Sequence, residues 1–118
     1  MQTDPRLTLV IPAHNEEALL PRLLDTVDIA RARYCFGAGA IDVIVADNAS
    51  TDRTAEIAAA RGCRVVPVAK RAIAAARNGG AAEASSPILA FVDADMQIHP
   101  ETFNAIEHAL AEDRKSVV

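Results

Sequence analysis

Short apolar runs alternate along this chain with longer stretches in which apolar positions recur every three or four residues. The first run, Leu7–Ile11, is rich in β-branched residues and reads as a strand ended by Pro12. From Glu16 to Arg33 the residues Leu19, Leu20, Leu23, Leu24 and Val27 share one helical face, which marks them as core. Pro21 fits poorly inside that helix, so regular turns are expected from Ala18, with Asn15 to Glu17 in a loop. Gly37 and Gly39 break the pattern before a second strand, Ile41–Ala46.

Ser50, Thr51 and Asp52 are three candidate N-caps for a helix over Arg53–Arg61, and Gly62 stands where such a helix stops. Arg64–Ala69 reads as a short strand whose internal Pro67 places it at a sheet edge. Ala72–Ser85 is Ala-rich and helical, with Asn78-Gly79-Gly80 as a weak point. Pro87–Val92 is the fourth strand. Pro100 suits the first position of a last helix running to Glu112, and the tail Arg114–Val118 is expected to fray.

Strands that alternate with helices, and that are apolar throughout rather than at every second position, imply a parallel sheet covered on both faces. The expected fold class is therefore α/β and Rossmann-like: a mostly parallel sheet of about four strands in one domain over residues 1–118. Right-handed crossovers put all strand C-termini on one edge, and ligands of such sheets bind outside that edge where the strand order reverses.

Composition narrows the function without naming it. The 118 residues are 51% hydrophobic but only 3% aromatic, so Ala, Val, Ile and Leu must fill the core. A net charge of −4 with no basic stripe argues against nucleic acid as a partner, although Lys70, Arg71 and Arg77 lie close together in sequence. Cys35 and Cys63 show neither metal spacing nor a disulfide framework and read as reduced, partly buried thiols. No stretch approaches the roughly 20 apolar residues needed to span a bilayer, and the N-terminus has no signal-peptide pattern. A cytoplasmic location is expected, with peripheral membrane association left open.

The chemistry concentrates at strand ends. Asp93-Ala94-Asp95 follows the fourth strand, and two carboxylates there are costly unless a cation meets them. The second strand also ends in acid, at Asp47-Asn48, and the first runs into Pro12-Ala13-His14-Asn15-Glu16. A divalent cation held by one or two carboxylates, with phosphate oxygens and water completing its shell, is what such an edge suits. Each group also has a plainer reading. The aspartates could belong to solvated turns, Ser50 to Asp52 fit helix capping, and His14, His99 and His108 could merely be exposed.

The order Val10 to Glu16, then Ala46 to Asp52, then Ala76-Arg77-Asn78-Gly79, then Phe91 to Asp95, resembles family 2 glycosyltransferases of the GT-A fold. The likeness runs from Thr8 to Pro100. It implies a donor-site domain for a nucleotide-diphosphate sugar (UDP- or GDP-linked), using Mg²⁺ or Mn²⁺ and transferring the sugar with inversion to an acceptor that the sequence leaves unknown. It further implies that Pro12, Ala13 and Glu16 line the nucleoside pocket, that Asp47 accepts a hydrogen bond from the base, and that Arg77 lies near the nucleotide. Asp93 would sit near the ribose or the metal and Asp95 would ligate the metal.

Two departures from the family accompany it. Lys70-Arg71-Ala72 stands where many members carry a glycine, and no residue matches the general base of the acceptor half. The chain is therefore expected to be a truncated, nucleotide-binding half. Its sheet would have an open edge that invites self-association into a homo-oligomer. The alternative from another class is a catalytically inert binding or oligomerisation module. A phosphoacceptor signalling domain fits worse, because it needs an acidic pair near the first strand and a lysine after a late one.

Overall fold

Four strands, β1 (Leu7–Ala13), β2 (Ile41–Asp47), β3 (Arg64–Pro67) and β4 (Ile88–Phe91), form one sheet in the order β3-β2-β1-β4. Every pairing is parallel: Leu7 to Ala13 face Ile41 to Asp47, Leu7 to Val10 face Ile88 to Phe91, and Ile44 to Asp47 face Arg64 to Pro67. Helices α1 (Leu20–Arg33), α2 (Thr54–Ala60), α3 (Ile73–Ala82) and α4 (Thr102–Glu112) complete the α/β architecture. These observations come from a computed structural model that describes residues 4–112. The tail from Arg114 to Val118, expected to fray, lies outside the described residues.

Side-chain alternation divides the sheet into two faces. Leu7, Leu9, Ile11 and Ala13 of β1 join Ile41, Val43 and Val45 of β2 in a buried cluster with Leu20, Leu23, Leu24 and Val27 of α1 and Phe103 of α4. The opposite face carries Thr8, Val10, Ile44 and Ala46, also buried, and α3 covers it through Ala76 and Gly80. The approach of α3 is close. A Cβ added at Gly80 would stand 2.5 Å from Val10 Cγ1, and one at Gly79 would stand 2.6 Å from Val68 Cγ2. The Asn78-Gly79-Gly80 stretch is thus not a weak point. The helix runs through it, and the missing side chains are what let it reach the sheet.

Prolines account for the other departures from expectation. Pro12 does not end β1, which continues to Ala13. Peptide groups along a strand point alternately to its two neighbours. Val10 C=O accepts from Val92 N–H at 3.1 Å and Ala13 C=O accepts from Asn48 N–H at 2.8 Å, so Pro12 faces the β4 side, where that strand has already ended. No ladder bond is lost there. Pro67 sits on edge strand β3, as expected. Val68 N–H donates to Asp47 C=O at 2.9 Å, which turns Pro67 toward the open side. Helix α1 starts at Leu20, later than expected, with Pro21 in its first turn where no intrahelical N–H bond is needed. Pro100 precedes α4 by two residues rather than opening it.

Asp52 carries the capping bond before α2: its Oδ1 accepts from Thr54 N–H at 2.9 Å. Gly62 ends that helix as expected, with φ +81°. Cys63 N–H donates to Ala58 C=O at 3.0 Å and Gly62 N–H to Ala59 C=O at 3.1 Å, the paired bonds of a Schellman close. A Cβ at Gly62 would touch nothing, so Gly62→Ala is expected to cost about 1 kcal/mol through backbone conformation alone. A thermal melt lowered by about 4–8 °C would register it, and an unchanged melt would contradict the left-handed assignment.

Helix α4 is seated by a polar cluster at its inner face. Glu107 accepts from Arg6 at 2.6 and 2.9 Å and from the Tyr34 hydroxyl. The Arg6 guanidinium holds the Glu107 carboxyl below its usual range, while burial, together with the bond to Glu107, raises Tyr34. The cysteines are free: Cys35 is exposed, against expectation, and burial pushes the half-buried Cys63 thiol up to about 11. No described helix is long and apolar enough to cross a membrane.

Candidate functional site

The chain order reverses between β1 and β4: the strands after β1 in sequence extend to one side of it, and β4 pairs on the other. A cavity of about 590 Å³ opens at the C-terminal ends of these two strands. Pro12, Ala13, His14 and Glu16 line it from β1, Asn48 from β2, Arg71, Ala72, Ile73 and Ala76 from α3 and its approach, and Asp93, Ala94 and Asp95 from beyond β4. A larger groove of about 790 Å³ lies at the opposite end of the sheet. Its charged pair, Arg64 and Asp42, is already closed on itself at 2.7 Å. The carboxylates and the strand ends place the chemistry in the smaller cavity.

Five of the seven expected site residues, Pro12, Ala13, Glu16, Asp93 and Asp95, line that cavity together. Asp47 does not. Alternation puts it on the face of Val43 and Val45, away from α3, and its Oδ1 accepts from Ser50 N–H at 3.3 Å. Its neighbour Asn48 is buried and lines the cavity instead, donating through Nδ2 to the carbonyls of Val68 at 3.1 Å and Lys70 at 2.7 Å. The unusual backbone here belongs to Ala49, with φ +55°. Arg77 also lies outside the lining. It is half-exposed on α3, with its Cζ 6.0 Å from the Phe91 ring centroid and its Nη2 3.5 Å from Asp93 Oδ1.

Arg71 is the cation that the lining does contain, and sequence spacing could not single it out from Lys70 or Arg77. The signal was the cluster of three, of which Arg71, two residues before α3, is the one that reaches the lining. The Lys70 carbonyl is used by Asn48, which leaves Lys70 a backbone role in holding the loop.

The electrostatics are lopsided. The lining holds three carboxylates and one guanidinium. Burial raises the Glu16 carboxyl, the nearby Asp95 and Asp52 charges raise it further, and His14 offsets part of this. Asp93 meets Arg77 across partly exposed surface, whereas Asp95 enters no ion pair among the described residues. Its backbone carbonyl is held by Arg22 at 3.1 Å. Desolvation pushes Asp52 up, but hydrogen bonds from the Thr54 hydroxyl and N–H and from Glu17 N–H outweigh it and hold it low.

No cluster of three or more His, Cys, Asp or Glu forms a complete metal cage among the described residues. Two aspartates at a cavity mouth do fit a hard cation that takes most of its ligands from phosphate and water. Arg71 puts a positive charge in the same lining.

A family model described as Glycosyl transferase family 2 matches residues 8–118. Validoxylamine A glucosyltransferase of Streptomyces hygroscopicus subsp. limoneus is 35% identical over 108 residues, which cover 86% of this chain and 23% of that protein. A mannosyltransferase of Pyrobaculum calidifontis, solved with GDP-Man and Mn²⁺, superposes with a TM-score of 0.76 at 25% identity, over 94% of this chain and 34% of that one. Glucosyl-3-phosphoglycerate synthase of Mycobacterium tuberculosis, solved with Mn²⁺, UDP and glucosyl-3-phosphoglycerate, gives 0.69 at 28% identity, over 90% and 39%. The chain thus spans roughly a quarter to two-fifths of the length of these proteins.

Proposed function

This chain belongs to glycosyl transferase family 2, and from that premise we propose that it is the donor-binding part of a glycosyltransferase, taking a nucleotide-diphosphate sugar with a divalent cation. One observation carries the reading. Asp93, Asp95 and Arg71 converge on a single cavity with the β1-end loop, at the point where the strand order reverses. The Mn²⁺ complexes of the Pyrobaculum calidifontis and Mycobacterium tuberculosis proteins support a metal here, and their GDP-Man and UDP support a nucleotide-linked donor.

In this reading Pro12, Ala13 and Glu16 border the nucleoside and Asp47 meets the base from outside the main cavity. Asp95 and Asp93 would hold Mg²⁺ or Mn²⁺, which when bound supplies charge to the departing diphosphate. Arg71 pairs with phosphate oxygens, and Arg77, through Asp93, sets the position of that carboxylate. Transfer would invert the anomeric carbon: an acceptor hydroxyl attacks from the face opposite the leaving diphosphate as a base removes its proton. None of the cavity's residues is assigned as that base.

Calorimetric titration of the chain with UDP and with GDP, each with and without MnCl₂, tests the proposal. Binding of one nucleotide only in the presence of manganese is the expected result. Failure of both nucleotides to bind with manganese would leave the inert module as the better reading. Edge strand β4, with Phe91 40% exposed, supports self-association of the isolated chain as part of the same proposal.

A further inference from the structure

Two loops meet beside the cavity, residues 14–17 after β1 and 48–54 after β2, and a set of hydrogen bonds joins them to each other. Thr51 N–H donates to Asn15 Oδ1 at 2.7 Å, and Asn15 N–H donates to Ser50 Oγ at 2.9 Å. Glu16 N–H donates to Thr54 Oγ1 at 2.9 Å, and Glu17 N–H to Asp52 Oδ2 at 3.2 Å. His14 Nδ1 lies 2.7 Å from the Asn48 carbonyl, and its Nε2 lies 3.2 Å from Asn15 Nδ2.

Proton bookkeeping allows one arrangement. A backbone N–H only donates, so Asn15 must present its oxygen to Thr51 and its NH₂ to His14. A carbonyl only accepts, so the proton of His14 must sit on Nδ1, leaving Nε2 to accept from Asn15. The relay therefore runs in one direction from Thr51 through Asn15 and His14 to Asn48, and it closes only with a neutral imidazole. Asn15 has φ +51°, a left-handed conformation that asparagine tolerates better than most residues. No bond in the relay contributes to the hydrophobic core.

We propose that Asn15 is a positioning residue for the nucleotide site: it clamps the two loops together through Thr51 and fixes the His14 ring at the cavity. The proposal rests on the donor-site reading above. Asn15 touches no ligand in it and acts through His14.

Wild type, Asn15→Gly and Asn15→Asp test it in three measurements: calorimetry with UDP plus MnCl₂ and GDP plus MnCl₂, thermal melting, and imidazole ¹⁵N NMR of His14. Glycine accepts the positive φ and removes the whole side chain, methylene and amide together. It is expected to weaken nucleotide binding about tenfold, to leave the melt within about 2 °C, and to release His14 from a single Nδ1–H tautomer into a mixture. Asn15→Asp keeps the acceptor for Thr51 and is expected to fold as wild type while losing the neutral Nδ1–H signature. Three results would overturn the proposal. The first is wild-type affinity in Asn15→Gly. The second is an affinity loss matched by a large fall in melting temperature, which would make Asn15 merely structural. The third is a wild-type His14 protonated on Nε2. A wild type that binds neither nucleotide removes the donor-site reading itself, a different result from a binding wild type with an indifferent variant.

Discussion

Asp95→Asn is expected to weaken manganese-dependent nucleotide binding by at least about 100-fold. Loss of outer-shell partners of a metal already costs 10–100-fold, and Asp95 is proposed as a direct ligand. It also has no cationic partner among the described residues, while Asp93 shares its charge with Arg77 at 3.5 Å. The Asp93→Asn loss is therefore expected to be smaller. The sign changes without metal. The cavity lining has three carboxylates against one guanidinium, so removing a charge lowers repulsion toward a diphosphate. Metal-free binding of UDP or GDP is thus expected to strengthen slightly in Asp95→Asn. Calorimetry with and without MnCl₂ reads both arms, and equal weakening in each would mean that Asp95 shapes the loop rather than holds a cation.

The second large effect is structural. Gly80→Ala is expected to destabilise the fold by about 2 kcal/mol. Alanine gains about 1 kcal/mol of helix propensity over glycine, but its Cβ would stand 2.5 Å from Val10 Cγ1. Val10 is fully buried on a central strand paired on both sides, so neither partner can yield cheaply. Overpacking of this kind costs about 1–3 kcal/mol and occasionally more. A melting temperature lower by about 10 °C follows for a domain of this size. The same change in a Val10→Ala background is expected to be neutral or stabilising, because the clash is then gone and the propensity gain remains. At Gly79 the obstructing group is half-buried Val68, which can turn outward, so Gly79→Ala is expected to cost little. An equal Gly80→Ala penalty in both backgrounds would show that Val10 is not what α3 rests on.

Much of this fold was legible because its signals are local. The β-branched runs marked β1 and β2, Pro67 marked an edge strand, and Gly62 marked a helix end. What failed depended on neighbours distant in sequence. Pro12 reads as a terminator until β4 is known to stop short beside it. Gly79-Gly80 reads as a helix weakness until Val10 and Val68 are seen beneath. At the site, the acidic pair after β4 and the β1-end loop could be placed from strand topology alone. Asp47 could not, because one step of alternation turns its side chain to the far face while Asn48 takes the wall. Arg71 was one of three candidate cations, and only its place in the cavity lining singles it out. Thr54 was missed altogether. Its hydroxyl looks like part of a capping run, yet it is buried and holds the Glu16 backbone.

Crystals of the chain grown with UDP or GDP and soaked in MnCl₂ give the most direct test, through an anomalous difference map at the manganese edge. A single strong peak against the Asp95 carboxylate, on the side of the cavity facing Arg71 and Glu16, is the expected result. A map with nucleotide bound but no peak there, or with manganese held only elsewhere on the surface, would contradict the assignment of this cavity as a metal-dependent donor site.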